Sequence, residues 1–532
     1  MSLPLRARSD RRGPSPLAWA ALLAALVAIA PLAAAVMTAL QPGAHSLTAP
    51  TFLRYAGASA ALAAMVAVGA TVLGAAAGVL VGLHRFPGRG LMAWLLAAPL
   101  AAPTFVLAYG YADLFDVAGP IQSSLRGALG VSPDLNVRSL WGAGLILSLA
   151  FYPYVYLTVR AALAHQSAST LEAARTLGAT RAQTLRRIIL PLLRPALAAG
   201  AALAVMETLA DYGAVSFLGV QTLTTGVVRA WSVFGSTAEA ARLALPLVGA
   251  AAVLLWIERR SRQGRVSDAA RAKATPLALE PLGGWRGLAA LVFCVGLIGL
   301  GLALPLGWLA HQGLSVEPDT AALVRAGRNV LILAVLGGAL TLGLATALAL
   351  GGRRTPFLTR LAGLGYATPG AVMAVGLLAP AGFLWRGVEG AAQGLGAGVL
   401  LLVLAYASRL TAAALEPIGA GLERVTPAMA HAARSLGESE TGAALRVELP
   451  MARGALLTAA LLVFIDILKE LPATVMLRPF GFDTLAVIAD RYAKDERLAQ
   501  AAWPSLLIVL IAAPVVIWLN RQVSRTARGV TQ

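Results

Sequence analysis

A chain of 532 residues that is 58% hydrophobic and 13% charged, with mean hydropathy +0.75, is too apolar for a soluble multidomain protein. Its formal charge of +18 would suit nucleic acid, but the arginines cluster in short loops between apolar runs, as in a membrane protein, and the nucleic-acid reading fails. The single cysteine, Cys294, lies inside an apolar run and excludes an intramolecular disulfide.

Arg6, Arg8, Arg11 and Arg12 precede an apolar run at 17–40. That run exceeds the roughly 7–15 residues of a signal-peptide core and predicts an uncleaved first span. Further spans are predicted at about 58–83, 91–115, 139–164, 196–218 and 238–257. After a basic linker at 258–286 come spans at 287–310, 329–350, 360–384, 396–419, 454–477 and 502–519. The reading is an all-α polytopic membrane protein of about 12 transmembrane helices, built as two tandem six-span domains, 1–257 and 287–532. Pro103 and Pro369 fall at matching places in the third spans of the two halves.

An even number of spans puts both termini on one side. Loops on that side carry His84, Arg85 and Arg89, the linker basic residues from Arg259 to Lys273, then Arg353, Arg354 and Arg360, with Arg521, Arg525 and Arg528 in the tail. Opposite loops are poorer: Arg54 stands alone in 41–55, and Arg325 and Arg328 are offset by Glu317 and Asp319. The positive-inside rule therefore predicts cytoplasmic termini.

Two polar islands repeat each other at a constant offset of 259 (431 − 172), within segments 169–197 and 426–456. Ala173/Ala432, Ala174/Ala433, Leu177/Leu436, Gly178/Gly437 and Pro191/Pro450 coincide, while Glu172 is matched by His431. Each copy reads as two short helices around a turn. Ser169 with Glu172 has capping-box spacing, and Thr426 before Pro427 supplies an N-cap with proline at N1. Gly178 and Gly437 suit the left-handed residue that closes a helix. Thr180 with Gln183, and Ser439, can cap the helix that follows, and Pro191 and Pro450 mark its end or a kink.

The same offset relates acids downstream: Glu207 matches Asp466 and Asp211 matches Glu470. Each pair is spaced i, i+4, predicting one face of one helix, with Gly213 and Pro472 loosening that helix just beyond. Ionisable groups at membrane depth usually face a bundle interior or a watery path. The plainer reading is a structural network in which Lys469, three residues after Asp466, and nearby backbone groups neutralise the acids. The first half has Ala210 at the equivalent place.

No catalytic constellation is present. None of the three lysines, Lys273, Lys469 and Lys494, follows a glycine, so no phosphate-binding G-x-x-x-x-G-K-[ST] loop exists and the chain is not expected to be an enzyme. His45, His84, His165, His311 and His431 show no metal-ligand spacing, and no permanent metal site is predicted.

The duplicated islands resemble the EAA loop of permease subunits in binding-protein-dependent ABC importers. That resemblance implies coupling helices, formed by Glu172, Ala173, Ala174, Leu177 and Gly178 and by His431, Ala432, Ala433, Leu436 and Gly437, that dock on an ABC ATPase subunit in two copies. ATP and Mg would then be bound by that partner, with no cofactor in this chain. It further implies a periplasmic or lipid-anchored substrate-binding protein and a place in the bacterial inner membrane. Asp211-Tyr212-Gly213-Ala214-Val215, Thr222-Leu223-Thr224-Thr225-Gly226, Lys469-Glu470-Leu471-Pro472-Ala473-Thr474 and Phe151-Tyr152-Pro153-Tyr154 are similar to the iron(III) branch, whose fused two-domain layout this chain shares. The implied cargo is ferric iron, and the implied pathway residues are Glu207, Asp211, Tyr212, Asp466, Lys469 and Glu470. Thiamine, aminoethylphosphonate and polyamine permeases share the layout and remain alternatives. A gradient-driven secondary transporter, its buried acids serving as ion sites, is the alternative of a different class.

Overall fold

A bilayer offers no water to backbone N–H and C=O groups, so apolar runs of this length must satisfy them internally, as helices. The computed structural model describes residues 16–41, 48–130, 135–164, 176, 178, 180–262, 279–384 and 394–529. The first half contains α1 (Pro16–Ala39), α2 (Ala49–Leu83), α3 (Arg89–Leu95), α4 (Thr104–Leu114), α5 (Pro120–Leu129), α6 (Leu140–Ala164), α7 (Arg181–Thr184), α8 (Leu190–Ala210), α9 (Gly213–Phe217), α10 (Leu223–Ser232) and α11 (Thr237–Arg262). The second contains α12 (Gly284–Ile298), α13 (Leu304–Gly313), α14 (Thr320–Gly351), α15 (Pro356–Ala367), α16 (Gly370–Leu384), α17 (Leu395–Leu422), α18 (Pro427–Ser435), α19 (Glu440–Ala443), α20 (Leu449–Met451), α21 (Arg453–Leu468), α22 (Pro472–Leu477), α23 (Leu485–Lys494) and α24 (Leu498–Gly529).

Among the described residues, nine helices are long and apolar enough to cross a membrane, and counting three bent pairs as one span each raises this to 12. Val68, Val72, Leu331, Val335 and Leu510 stand exposed on these helices, as lipid-facing side chains do. The chain is thus an all-α polytopic membrane protein. The one sheet among the described residues is a parallel pairing of His84–Arg85 with Glu280–Pro281, which ties the end of the linker to the turn after α2.

Several expected spans are interrupted. The third span of each half turns sharply beside its proline, by 91° between Arg89–Ala101 and Thr104–Leu114 and by 99° between Pro356–Gly365 and Gly370–Gly382. Ala102 and Thr368, just before Pro103 and Pro369, take extended ψ angles of 127° and 129°, because the proline ring excludes the helical region from its predecessor. The expected fifth and eleventh spans, 196–218 and 454–477, also stop early: α8 ends at Ala210 and α21 at Leu468, and separate short helices α9 and α22 follow.

Proline also explains three local widenings. Five-residue π turns at Leu185–Ile189, Gly299–Ala303 and Ala444–Glu448 each end two residues before a proline, Pro191, Pro305 and Pro450. A proline lacks the N–H that would bond four residues back and its ring presses on that carbonyl; the wider turn relieves both problems.

The two halves exchange their first spans. α1 packs along α14, α15, α16 and α17 of the second half, while α12 and α13 pack on α3 and α4 and the π turn between them packs on α6. The contacts are matched in kind. The Pro31 carbonyl abuts Gly376 and the Pro305 carbonyl abuts Gly110, and a Cβ added at either glycine would approach that oxygen to less than 3.0 Å. Gly376→Ala and Gly110→Ala are each expected to cost about 1–3 kcal/mol, the usual effect of overpacking. Thermal unfolding of the purified protein in detergent checks this, and unchanged midpoints would show that these seams are slack.

Candidate functional site

The repeated loops keep the turn chemistry that their sequence requires. Gly178 and Gly437 adopt φ of +78° and +95°, the left-handed region that closes a helix at little cost only with glycine. Thr426 is the N-cap of α18, with Pro427 at N1. Ser439 accepts the Gly442 N–H at 2.9 Å. Thr180 and Gln183 form a reciprocal capping box, with the Thr180 N–H on Gln183 at 2.9 Å and the Gln183 N–H on Thr180 at 3.3 Å. Glu172, Ala173, Ala174 and Leu177 lie outside the described residues. In the second copy His431, Ala432 and Gly437 are exposed, Ala433 is buried, and Leu436 is 87% exposed. Glu448, in the π turn behind α19, pairs with Arg353 at 2.7 Å and fastens this loop to the end of α14.

Downstream, all six nominated pathway residues come together. Glu207, Asp211, Tyr212, Asp466, Lys469 and Glu470 line one cavity of about 90 Å³ between the halves. Pro99, Pro103, Thr104, Phe151, Tyr154 and Arg409 complete much of its wall. The broken helices make this possible, since the residues at both breaks line the same cavity.

The acids nevertheless divide into two kinds, which the expectation of one helical face does not anticipate. Because α8 and α21 end early, Asp211 and Glu470 fall in the breaks and fold forward as caps. Asp211 accepts the N–H groups of Ala214 and Val215 at 3.1 and 3.2 Å, together with the Thr104 hydroxyl. Glu470 accepts those of Ala473 and Thr474 at 3.1 and 3.0 Å and the Thr474 hydroxyl at 2.7 Å. Backbone donors at a helix start are the favoured partners of a buried carboxylate. Glu207 and Asp466, one turn earlier, are only partly buried against the cavity. Asp466 is held by Lys469 at 3.1 Å, as their spacing anticipates.

Space is traded between the two breaks. Thr104 of α4 meets the shorter Asp211, whereas Gly370 of α16, its counterpart after Pro369, leaves room for the longer Glu470. A Cβ at position 370 would come within 3.0 Å of Glu470 Oε1.

Tyr212 has a second set of neighbours on the side away from the repeated loops. Its hydroxyl accepts from Lys494 Nζ at 3.2 Å, and Lys494 also pairs with Asp490 at 2.7 Å. Lys494 lies outside the candidate spans. Burial opposes its charge, but the adjacent Asp490 carboxylate and Tyr212 outweigh burial and hold the ammonium above the ordinary lysine range.

Sequence reasoning missed Arg409, Thr104 and Lys494. Arg409 carried a signal, as a lone arginine inside the apolar run 396–419. Thr104 and Lys494 carried none, because their partners, Asp211 and Tyr212, lie 107 and 282 residues away. Among the described residues no group of three or more His, Cys, Asp or Glu is placed to hold a metal ion.

Comparison with known proteins yields a consistent set of likenesses. The family model described as binding-protein-dependent transport system inner membrane component matches twice, at residues 71–262 and 339–531. The chain is 25% identical over 468 residues to the Fe(3+)-transport system permease protein FbpB 2 of Haemophilus influenzae, covering 86% of this chain and 87% of that one. It is 35% identical over 188 residues to the sulfate transport system permease protein CysT of Salmonella typhimurium, 34% of this chain and 66% of the relative. Against the putrescine transport system permease protein PotI of Escherichia coli it is 30% identical over 224 residues, 41% of this chain and 76% of the relative.

Proposed function

This chain belongs to the family of binding-protein-dependent transport system inner membrane components, and from that premise we propose that it carries ferric iron into the cell. It is a multi-pass permease subunit of an ABC importer and not itself an enzyme. In this reading 1–257 and 287–532 are two fused permease domains joined by the linker 258–286. Both termini and both repeated loops face the cytoplasm, where each loop docks on one copy of an ABC ATPase. A periplasmic or lipid-anchored binding protein delivers cargo to the opposite end.

The observation that carries the cargo assignment is the convergence of Glu207 and Asp466, one from each half, on one cavity at the helix breaks. Ferric iron is a hard cation that prefers oxygen ligands. Two partly solvated carboxylates, Glu207 and the Lys469-paired Asp466, offer it a weak passing field, while Asp211 and Glu470, already occupied by backbone donors, would not hold it back. The full-length similarity to an Fe(3+) permease supports the same cargo. The test is uptake of radioactive ferric iron by proteoliposomes containing the permease, its ATPase and its binding protein. Glu207→Gln with Asp466→Asn is expected to cut uptake while ATP hydrolysis stimulated by the loaded binding protein survives. Joint loss of folding and coupling would make these acids structural, and undiminished uptake would take them off the path.

A second reading rests on Arg409 and Lys469 in the same cavity wall, which suit an oxyanion or a zwitterion. Sulfate, the cargo named for one of the relatives, is an oxyanion, and aminoethylphosphonate is a zwitterion. Uptake of sulfate or of aminoethylphosphonate in place of iron by the same proteoliposomes would decide for it.

A further inference from the structure

The cluster around Tyr212 belongs to a longer chain of contacts that crosses between the halves three times. Arg138, just before α6, makes a two-pronged ion pair with Glu496, both bonds at 3.1 Å. The same guanidinium lies 4.9 Å from the Phe217 ring centre, and Phe217 meets Tyr109 edge-on at 4.6 Å. The buried Tyr109 hydroxyl donates to Asp490 at 3.5 Å, Asp490 pairs with Lys494, and Lys494 returns to Tyr212 at the cavity wall. Arg138, Phe217, Tyr109 and Tyr212 come from the first half, and Glu496, Asp490 and Lys494 from the second. Glu496 has φ of +56°, the one non-glycine residue with positive φ among those described. That conformation closes the end of α23, with the Glu496 N–H on the Ala493 carbonyl at 3.1 Å and the Arg497 N–H on the Tyr492 carbonyl at 2.8 Å.

The arrangement is single, although the elements that carry it are duplicated. α10 and α23 both start at a capping threonine, Thr222 and Thr484, and carry an arginine at the matched positions Arg229 and Arg491. In α10 the residues matching Asp490 and Lys494 are Val228 and Ser232. The charges are therefore an addition to the repeat, placed where the cavity meets the end of the bundle opposite the repeated loops.

We infer that Tyr109, Tyr212, Asp490 and Lys494, with Arg138 and Glu496 above them, form an asymmetric gate that seals the cavity at its entry end and must part for cargo to enter. This inference rests on the importer reading. Alternating access rocks one half against the other about a fixed site, so contacts that join the halves beyond the site separate when that end opens. Charge-assisted bonds suit a gate because water satisfies both partners once they part, so closure holds without trapping the protein shut.

The test places cysteines at Arg138 and Glu496 in a Cys294→Ala background and joins them with a short, reductant-cleavable bismaleimide. In the nucleotide-free complex with its ATPase the link should form readily. With a non-hydrolysable ATP analogue bound, its formation should slow roughly tenfold or more, as the closed population falls. Equal rates in the two states overturn the gate whatever the cargo is. In proteoliposomes the linked protein should lose uptake of ferric iron and regain it on cleavage, which also shows that the variant is folded. Uptake unaffected by the link overturns the gate, whereas absence of ferric iron uptake by the Cys294→Ala protein with Arg138 and Glu496 intact counts against the iron assignment instead.

Discussion

Replacing Gly178 and Gly437 together with valine is expected to reduce ATP-dependent uptake to background while the chain still inserts in the membrane. Both glycines sit at positive φ, where an L-residue costs about 1–2 kcal/mol and a β-branched one fits worst. Gly437 closes the turn between α18 and α19 and Gly178 stands at the matching place before α7, so the strain falls on the segment proposed to dock on the ATPase and not on the spans. The neighbouring surface suits such docking: Leu436 projects from the end of α18 with Met429 exposed on the same helix, and Ala432 leaves room for a close approach. Gly437→Asn and Gly178→Asn serve as controls, since asparagine tolerates the left-handed region, and should retain most uptake. Reconstituted transport alongside labelling of membrane-inserted protein measures both quantities. Normal uptake by the double valine variant would remove the coupling role from these loops.

The second large effect is expected at the α22 break. Gly370→Thr puts a side chain where Glu470 Oε1 lies and must push the carboxylate away from the Ala473 and Thr474 N–H groups. Leaving such buried donors unpaired costs about 1–3 kcal/mol on top of the steric strain. Adding Glu470→Asp shortens the acid by one methylene and recreates the pairing of Thr104 with Asp211 in the other half. The double variant should recover most of the lost stability, a coupling that thermal unfolding of the two single variants and the double variant measures. A double variant no more stable than Gly370→Thr alone would mean that the two breaks do not exchange space in this way.

These two sites show what was legible from residues and what was not. The loop turn could be read in advance because its causes are local: a glycine at positive φ and a capping threonine or serine act within a few residues of one another. That the chain is a series of apolar helices was equally legible, because hydrophobic length is a property of the chain itself, although nine to 12 of them qualify as spans among the described residues. The convergence of acids on a shared cavity followed from the internal repeat, since duplicated segments must occupy related positions.

The same periodic reasoning misplaced Asp211 and Glu470, because i, i+4 spacing describes a helix only while the helix continues. Gly213 and Pro472 announced a loosening, yet what the acids at the breaks meet, Thr104 beside Asp211 and the space at Gly370 beside Glu470, lies in other elements. The sharp turns at Pro103 and Pro369 were similarly hidden, as a proline in an apolar run kinks or breaks a helix according to what packs around it. The sequence by itself determined the helical class, the membrane setting, the duplication and the chemistry of each loop, all of which arise from solvation and short-range sterics. Only the tertiary structure decided that the halves trade their first spans, that two acids cap helices while two face the cavity, and that Lys494 reaches Tyr212. Those outcomes depend on contacts between residues far apart in the chain, which no local pattern encodes.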